Sequence, residues 1–298
     1  MNRLQANMVL LFVSIIWGTT FVVQQVATGN LGAISFTSAR FFMGALIVLP
    51  FAFIQLQHRQ KNQGNIKPAD WIGMVLTGIV LFSGAVLQQA GIFHTTVANA
   101  GFLTALYVPM VPIFAFFILN KHIHWVVWPS SIGSLVGTYI MSGANNLSIN
   151  AGDVWVIAGA FFWAVHVILV GTMAKRTQAP LVVAVVQFFV CAIVALVAGF
   201  FLEHPKISDF FGAYPGILYA GILSVGFAFT LQVVAQRYTL EADAAIILSA
   251  EIVFAALAGF VFLGERLSQG QMVGAAIILC CILTVQLVPV YKKKKFSE

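Results

Sequence analysis

The sequence predicts an all-α integral membrane protein, with ten transmembrane helices arranged as two inverted five-helix repeats. Three observations carry this expectation. Of the 298 residues, 60% are hydrophobic and only 8% are charged, against roughly 45–50% and about 25% in soluble domains. The apolar residues gather into ten runs, each near the roughly 20 residues that a bilayer crossing needs. The first five runs and the last five share positions at a nearly constant offset. Charge this sparse cannot cover a soluble domain of this length, so a soluble enzyme is excluded. A net charge of +6 does not point to nucleic acid, which needs a concentrated basic face. Ten spans consume about 200 residues and leave no room for an extramembrane domain. Function is therefore expected inside the bilayer, with a small-molecule solute and membrane lipid as partners.

The spans, in order, cover residues 5–26, 33–56, 70–92, 97–119, 126–143, 154–172, 181–202, 213–235, 242–263 and 271–290. Polar breaks separate them: Thr28-Gly29-Asn30 after the first, and His58 to Asn65 after the second. Asn120-Lys121-His122, Asn145-Asn146 and Lys175-Arg176-Thr177 follow spans 4, 5 and 6. Glu203-His204-Pro205-Lys206 follows span 7 and Gly264-Glu265-Arg266 follows span 9. The runs are long and lack the period-two alternation of barrel strands, so they read as helices, which satisfy their own backbone groups in lipid. Within span 4, Pro109 and Pro112 each remove a helix hydrogen bond and free a carbonyl about four residues back, near Ala105 and Val108, so a helix break is expected there. Cys191, Cys280 and Cys281 lie in apolar runs with no ligand spacing; a disulfide framework and a metal site are not expected, nor is a cofactor.

Orientation follows from the basic residues. With the N-terminus in the cytoplasm, that side collects Arg3, Arg59, Lys61, Lys67, Lys121, Lys175, Arg176, Arg237 and Lys292 to Lys295, which is 12 of the 15 Lys and Arg. Lys206 and Arg266 fall outside, and Arg40 lies within a span. Both termini are thus expected in the cytoplasm of a bacterial inner membrane. The basic tail reads as a headgroup anchor, each residue contributing about 1 kcal/mol.

The halves match at Trp17 and Trp163, Arg40-Phe41-Phe42 and Gln187-Phe188-Phe189, Gly73 and Gly216, Gly78 and Gly221, and Leu87-Gln88 and Leu231-Gln232, at offsets of 143 to 147. Five is odd, so the second half enters the membrane inverted. The repeats divide as residues 1–145 and 146–298. Inverted repeats are a plan of secondary transporters, with the solute site at the repeat interface and two exchangeable halves. The repeat also argues that span 1, though preceded by Arg3 like a signal peptide, stays in the mature protein.

Trp17-Gly18-Thr19-Thr20-Phe21-Val22-Val23, Arg40-Phe41-Phe42, and the stretch from Leu248-Ser249-Ala250-Glu251-Ile252-Val253-Phe254 to Leu263-Gly264-Glu265-Arg266 give the chain a resemblance to the EamA-type transporters of the drug/metabolite transporter superfamily. The resemblance covers nearly the whole chain and implies ten helices in two inverted repeats and transport of a small metabolite, commonly an amino acid or other polar nutrient. Family members often carry proline after the glutamate, where this chain has Ile252.

Glu251 is the one carboxylate deep within a span. A charge there costs about 2.5–3.5 kcal/mol, so it is expected to face a cavity or partner and to take a proton, a cationic solute group, or both; the plainer role is a structural tie between helices. Arg40 can meet a carboxylate or phosphate of the solute, or snorkel outward. Trp17 and Trp163 sit mid-span, unlike the interfacial Trp71, Trp125, Trp128 and Trp155, and can stack on a flat or cationic solute or serve simply in packing. His166, one turn from Trp163, can bond the solute or serve as a satisfied core histidine. Tyr107 stands opposite Glu251 in the repeat register. Gln88, Gln89, Gln232 and Gln236 cluster near span ends, outer for span 3 and inner for span 8, and read as interfacial residues or as polar rims of two gates. Small-residue spacings at Gly133/Gly137, Ala255/Gly259 and Gly270/Gly274 allow close helix approach and offer a face for a homodimer.

The resulting expectation is a secondary transporter, not an enzyme, moving a small metabolite such as an amino acid or a flat aromatic nutrient by alternating access, with proton linkage through Glu251. The alternative is a membrane-embedded enzyme acting on a lipid or metabolite, for which the sequence supplies few convergent catalytic groups.

Overall fold

The apolar runs become helices throughout, and the described residues contain no strand. The structure is a computed structural model that describes residues 1–26, 29, 31–95, 97–120, 122–142, 151–263, 266 and 268–295. The expected break at Asn145-Asn146, together with Lys121, Gly264 and Glu265, lies outside the described residues, as do the side chains of the basic tail.

Three rods open the chain: α1 (Arg3–Val26), α2 (Ala33–Gln63) and α3 (Pro68–Ile92). Two shorter helices, α4 (Val97–Thr104) and α5 (Tyr107–Leu119), fill span 4, and α6 (Val127–Ser142) fills span 5. Next come α7 (Ala151–Thr177), α8 (Pro180–Leu202) and the six-residue α9 (Ile207–Gly212). Span 8 is one continuous rod made of α10 (Tyr214–Tyr219), a π-helical stretch (Ala220–Phe229) and α11 (Thr230–Gln236). Span 9 is divided into α12 (Glu241–Leu248) and α13 (Glu251–Leu263), and α14 (Gln269–Lys295) closes the chain. Pro68 and Pro180 stand at helix starts, where a missing N–H costs nothing.

Eight of these segments are long and apolar enough to cross a membrane. Among the described residues, span 5 is the 16-residue α6 and span 9 is divided between α12 and α13, and neither is in that set. The interruptions in spans 4 and 9 have different causes. In span 4 the helix breaks at Ala105–Leu106, four residues before Pro109, and the turn tightens through Val108 N–H to Ala105 O at 3.0 Å; Pro112 is carried inside α5. In span 9 the break at Ser249–Ala250 comes without proline. Ser249 Oγ donates to Ile246 O at 2.7 Å and shares a 2.7 Å hydrogen bond with Ser134 Oγ on α6. A serine that bonds back to its own helix and across to another competes with the regular ladder, so Ile252 does not prevent the break.

The main packing pairs are α2 with α8, α3 with α7, α6 with α14, α3 with α8 and α1 with α13. At one end of the bundle, ionic and polar bonds tie helix ends together. Arg3 on α1 pairs with Asp243 on α12 at 2.6 Å, Lys175 on α7 with Glu241 on α12 at 3.0 Å, and Arg176 with Asp70 on α3 at 2.7 Å. Arg59 Nε donates to Thr177 O at 3.0 Å, and Arg237 bonds Gln178. Gly137 and Gly274 face each other: a Cβ on Gly274 would stand 2.4 Å from Gly137 O. Two of the small-residue spacings are thus used within the chain, between α6 and α14, and no longer speak for a homodimer face.

Candidate functional site

A cavity with about 50 Å³ of room for the centres of water-sized molecules opens among the helices, and its wall comes from both halves of the chain. Five of the six solute-site residues expected from the sequence line it: Trp17, Arg40, Tyr107, Trp163 and Glu251. The helix breaks place two of them. Tyr107 is the first residue of α5 and Glu251 the first of α13, so each interruption brings one of these side chains to the same space. Tyr107 Oη donates to Ala245 O at 3.4 Å, which leaves it only weakly held.

Glu251 is 6% exposed and has no hydrogen bond or ion pair among the described residues. Arg40 is 3% exposed, and its Nε has no protein partner; its guanidinium lies against the rings of Phe36 and Phe41, 5.6 and 5.2 Å from their centroids. The two charges share one cavity without forming an ion pair with each other. The indole Nε1 atoms of Trp17 and Trp163 and Oε1 of Gln232 are also buried without a protein partner. Each such polar atom costs about 1–3 kcal/mol when left unsatisfied, and in a bilayer only a solute or cavity water can meet it. The cavity thus brings together a carboxyl group, a guanidinium, aromatic faces and unpartnered polar atoms.

His166, the sixth expected residue, lies behind this wall. It is fully buried, and its Nε2 donates to Gln187 Oε1 at 2.8 Å. The glutamines are not interfacial as the sequence suggested. Gln88, Gln89, Gln232 and Gln236 are all buried; Gln88, Gln89 and Gln236 bond across helices, and Gln88 and Gln232 line the cavity. Gln24 Nε2 donates to Gln89 Oε1 at 2.8 Å, Gln88 Nε2 to Thr104 Oγ1 at 3.0 Å, and Gln236 Nε2 to Val167 O at 3.0 Å. Trp71, Trp125, Trp128 and Trp155 are exposed, as an interfacial belt requires.

Sequence reasoning missed Thr20, Gln24, Ser224 and Phe229, all of which line the cavity. Thr20 had a signal, standing three residues after Trp17 on one helix face. Phe229 had none. It is one of 27 phenylalanines, yet its ring touches those of Trp17, Phe41, Trp163, His166 and Phe188.

These features define a class: a multi-pass membrane protein whose apolar helices surround an amphoteric, aromatic cavity. The chain belongs to the EamA-like transporter family, whose family model matches residues 4–143 and again 150–286. An uncharacterized transporter of Archaeoglobus fulgidus is 30% identical over 286 residues, covering 96% of this chain and 87% of the relative. The uncharacterized transporter YwfM of Bacillus subtilis is 27% identical, covering 99% of this chain and 98% of its own. A solved structure at 17% identity superposes with a TM-score of 0.79 over 95% of this chain and 99% of that one, a likeness of fold.

Proposed function

We propose that the chain is a secondary transporter, not an enzyme, that carries a small zwitterionic or flat metabolite, of the amino-acid or aromatic-nutrient type, across the cytoplasmic membrane by alternating access. The observation that carries this reading is the pairing of unbonded Glu251 and Arg40 with Trp17 and Trp163 around one cavity. An α-amino acid offers an ammonium group to the carboxylate, a carboxylate to the guanidinium and a side chain to the aromatic walls. Glu251 is also the group through which a proton would travel.

The architecture in this proposal is ten spans in two inverted repeats, residues 1–145 and 146–298, with both termini in the cytoplasm. Several observations favour it. Tyr107 and Glu251, at an offset of 144, both begin a half-helix at the cavity. The Lys175–Glu241 and Arg3–Asp243 pairs put the end of α7 beside the start of α1, as inversion requires. The packing of α1 on α13 has its counterpart in that of α7 on α4 and α5.

Two experiments test the proposal. A thermal-shift screen of metabolites on the purified protein, followed by flux assays in vesicles, should yield a solute that crosses chemically unchanged; conversion of a lipid or metabolite instead would favour the membrane-enzyme reading. Cysteine placed at the exposed Gln63, at the end of α2, should react with an impermeant thiol reagent from the cytoplasmic side only. Reaction from outside would reverse the topology.

A further inference from the structure

Resting on that transport reading, a second solute contact can be located. The two halves line the cavity unequally. Thr20 and Arg40 face it, whereas His166 and Gln187, their counterparts at offsets of 146 and 147, do not. Both counterparts are 0% exposed. Because His166 Nε2 donates to Gln187 Oε1, His166 Nδ1 is left as an acceptor and the Gln187 amide nitrogen as a donor. Both atoms are buried without a protein partner. A histidine and a glutamine kept only for packing would have these groups bonded, as buried polar atoms nearly always are.

Aromatic rings of the cavity wall lie against His166. Trp163 and Phe229 both line the cavity, and their rings lie 5.6 and 6.2 Å from that of His166. They stack on each other at 6.0 Å and 26°. Phe229 ends the π-helical stretch Ala220–Phe229. The offset between the halves steps from 143 at Gly78 and Gly221 to 144 at Gln88 and Gln232, and a π turn lets a helix accommodate one extra residue. At the offset of 144, Phe229 corresponds to Ala85. The first half thus has a methyl group where the second has a ring, and that ring stands against His166.

We infer that His166 and Gln187 form a second solute-contact site, occluded here beneath Phe229, that opens to the cytoplasmic side when the two halves exchange conformations. It takes a group with one donor and one acceptor, such as the amino and carboxylate groups of the zwitterion that Arg40 and Glu251 hold. A solute carboxylate meets a guanidinium in one state and an amide in the other, so the two states bind it with different affinities.

Cysteine accessibility in vesicles tests this in the full-length chain with Cys191, Cys280 and Cys281 changed to Ala. The probe is a membrane-impermeant methanethiosulfonate applied separately to each side. Thr20→Cys reports the open cavity. Gln187→Cys and Val170→Cys report the occluded site, Val170 being a close steric match one turn from His166 on the same helix face. Thr20 stands in the outer half of the first span in the proposed topology, so labelling of Thr20→Cys from outside is expected, with Gln187→Cys or Val170→Cys labelled from the cytoplasmic side. If Thr20→Cys labels and neither of the others does, or if they label only from outside, the second site is refuted while the transporter stands. If Thr20→Cys also stays unlabelled, the cavity reading itself falls and the second site with it.

Discussion

Changing Glu251 to Gln is expected to reduce solute flux by roughly ten- to a hundredfold while leaving expression intact. That range corresponds to about 1.5–3 kcal/mol for a hydrogen bond to a charged group. Glu251 is the carboxylate of the cavity wall and has no protein partner among the described residues, so glutamine keeps the shape and removes only the charge and the titrating proton. No structural ion pair is lost, which is why folding should survive. In wild-type vesicles flux should depend on pH, and in Glu251→Gln vesicles the residual flux should not. A variant that keeps the wild-type pH dependence would count against a proton-coupling role for Glu251.

The second large effect is expected at Gly18, where α1 touches α13. A Cβ there would stand 2.6 Å from Glu251 O, 2.7 Å from Ala255 N and 2.8 Å from the Phe254 carbonyl carbon. All three are backbone atoms and cannot swing aside, so Gly18→Ala must push the helices apart. Overpacking of this kind costs about 1–3 kcal/mol. Because α1 carries Trp17 and α13 carries Glu251, the same movement should widen the cavity that both line. Both Tm in detergent and flux should fall. Gly212→Ala is the control, since nothing lies within 4 Å of a Cβ at that position, and it should change neither. Wild-type Tm and flux in Gly18→Ala would contradict the close packing of α1 on α13.

Much of this arrangement was legible because a membrane makes polar residues conspicuous. Glu251 and Arg40 stood out as lone charges within spans, and Trp17 and Trp163 as indoles away from the interface; all four reach the cavity. Pro109 announced the break in span 4 through its missing N–H. The break at Ser249–Ala250 gave no such sign, since it depends on the contact of Ser249 with Ser134 on α6, which lies 115 positions away. The same limit applies to the glutamines. Near a span end, an amide that meets lipid headgroups and one that bonds a neighbouring helix look alike in sequence, and only packing reveals that Gln24 meets Gln89. Periodicity placed His166 on the face of Trp163, but not the Phe229 ring that stands against it.

The most direct test of the central claim, that the cavity at Glu251 carries a solute through the protein, is mass spectrometry of what crosses vesicle membranes loaded with a metabolite extract. Vesicles with the wild-type chain should pass at least one small zwitterionic or aromatic solute chemically unchanged, and Glu251→Gln vesicles should retain it. Passage of that solute at equal rates through both proteins, or its appearance only as a reaction product, would contradict the account.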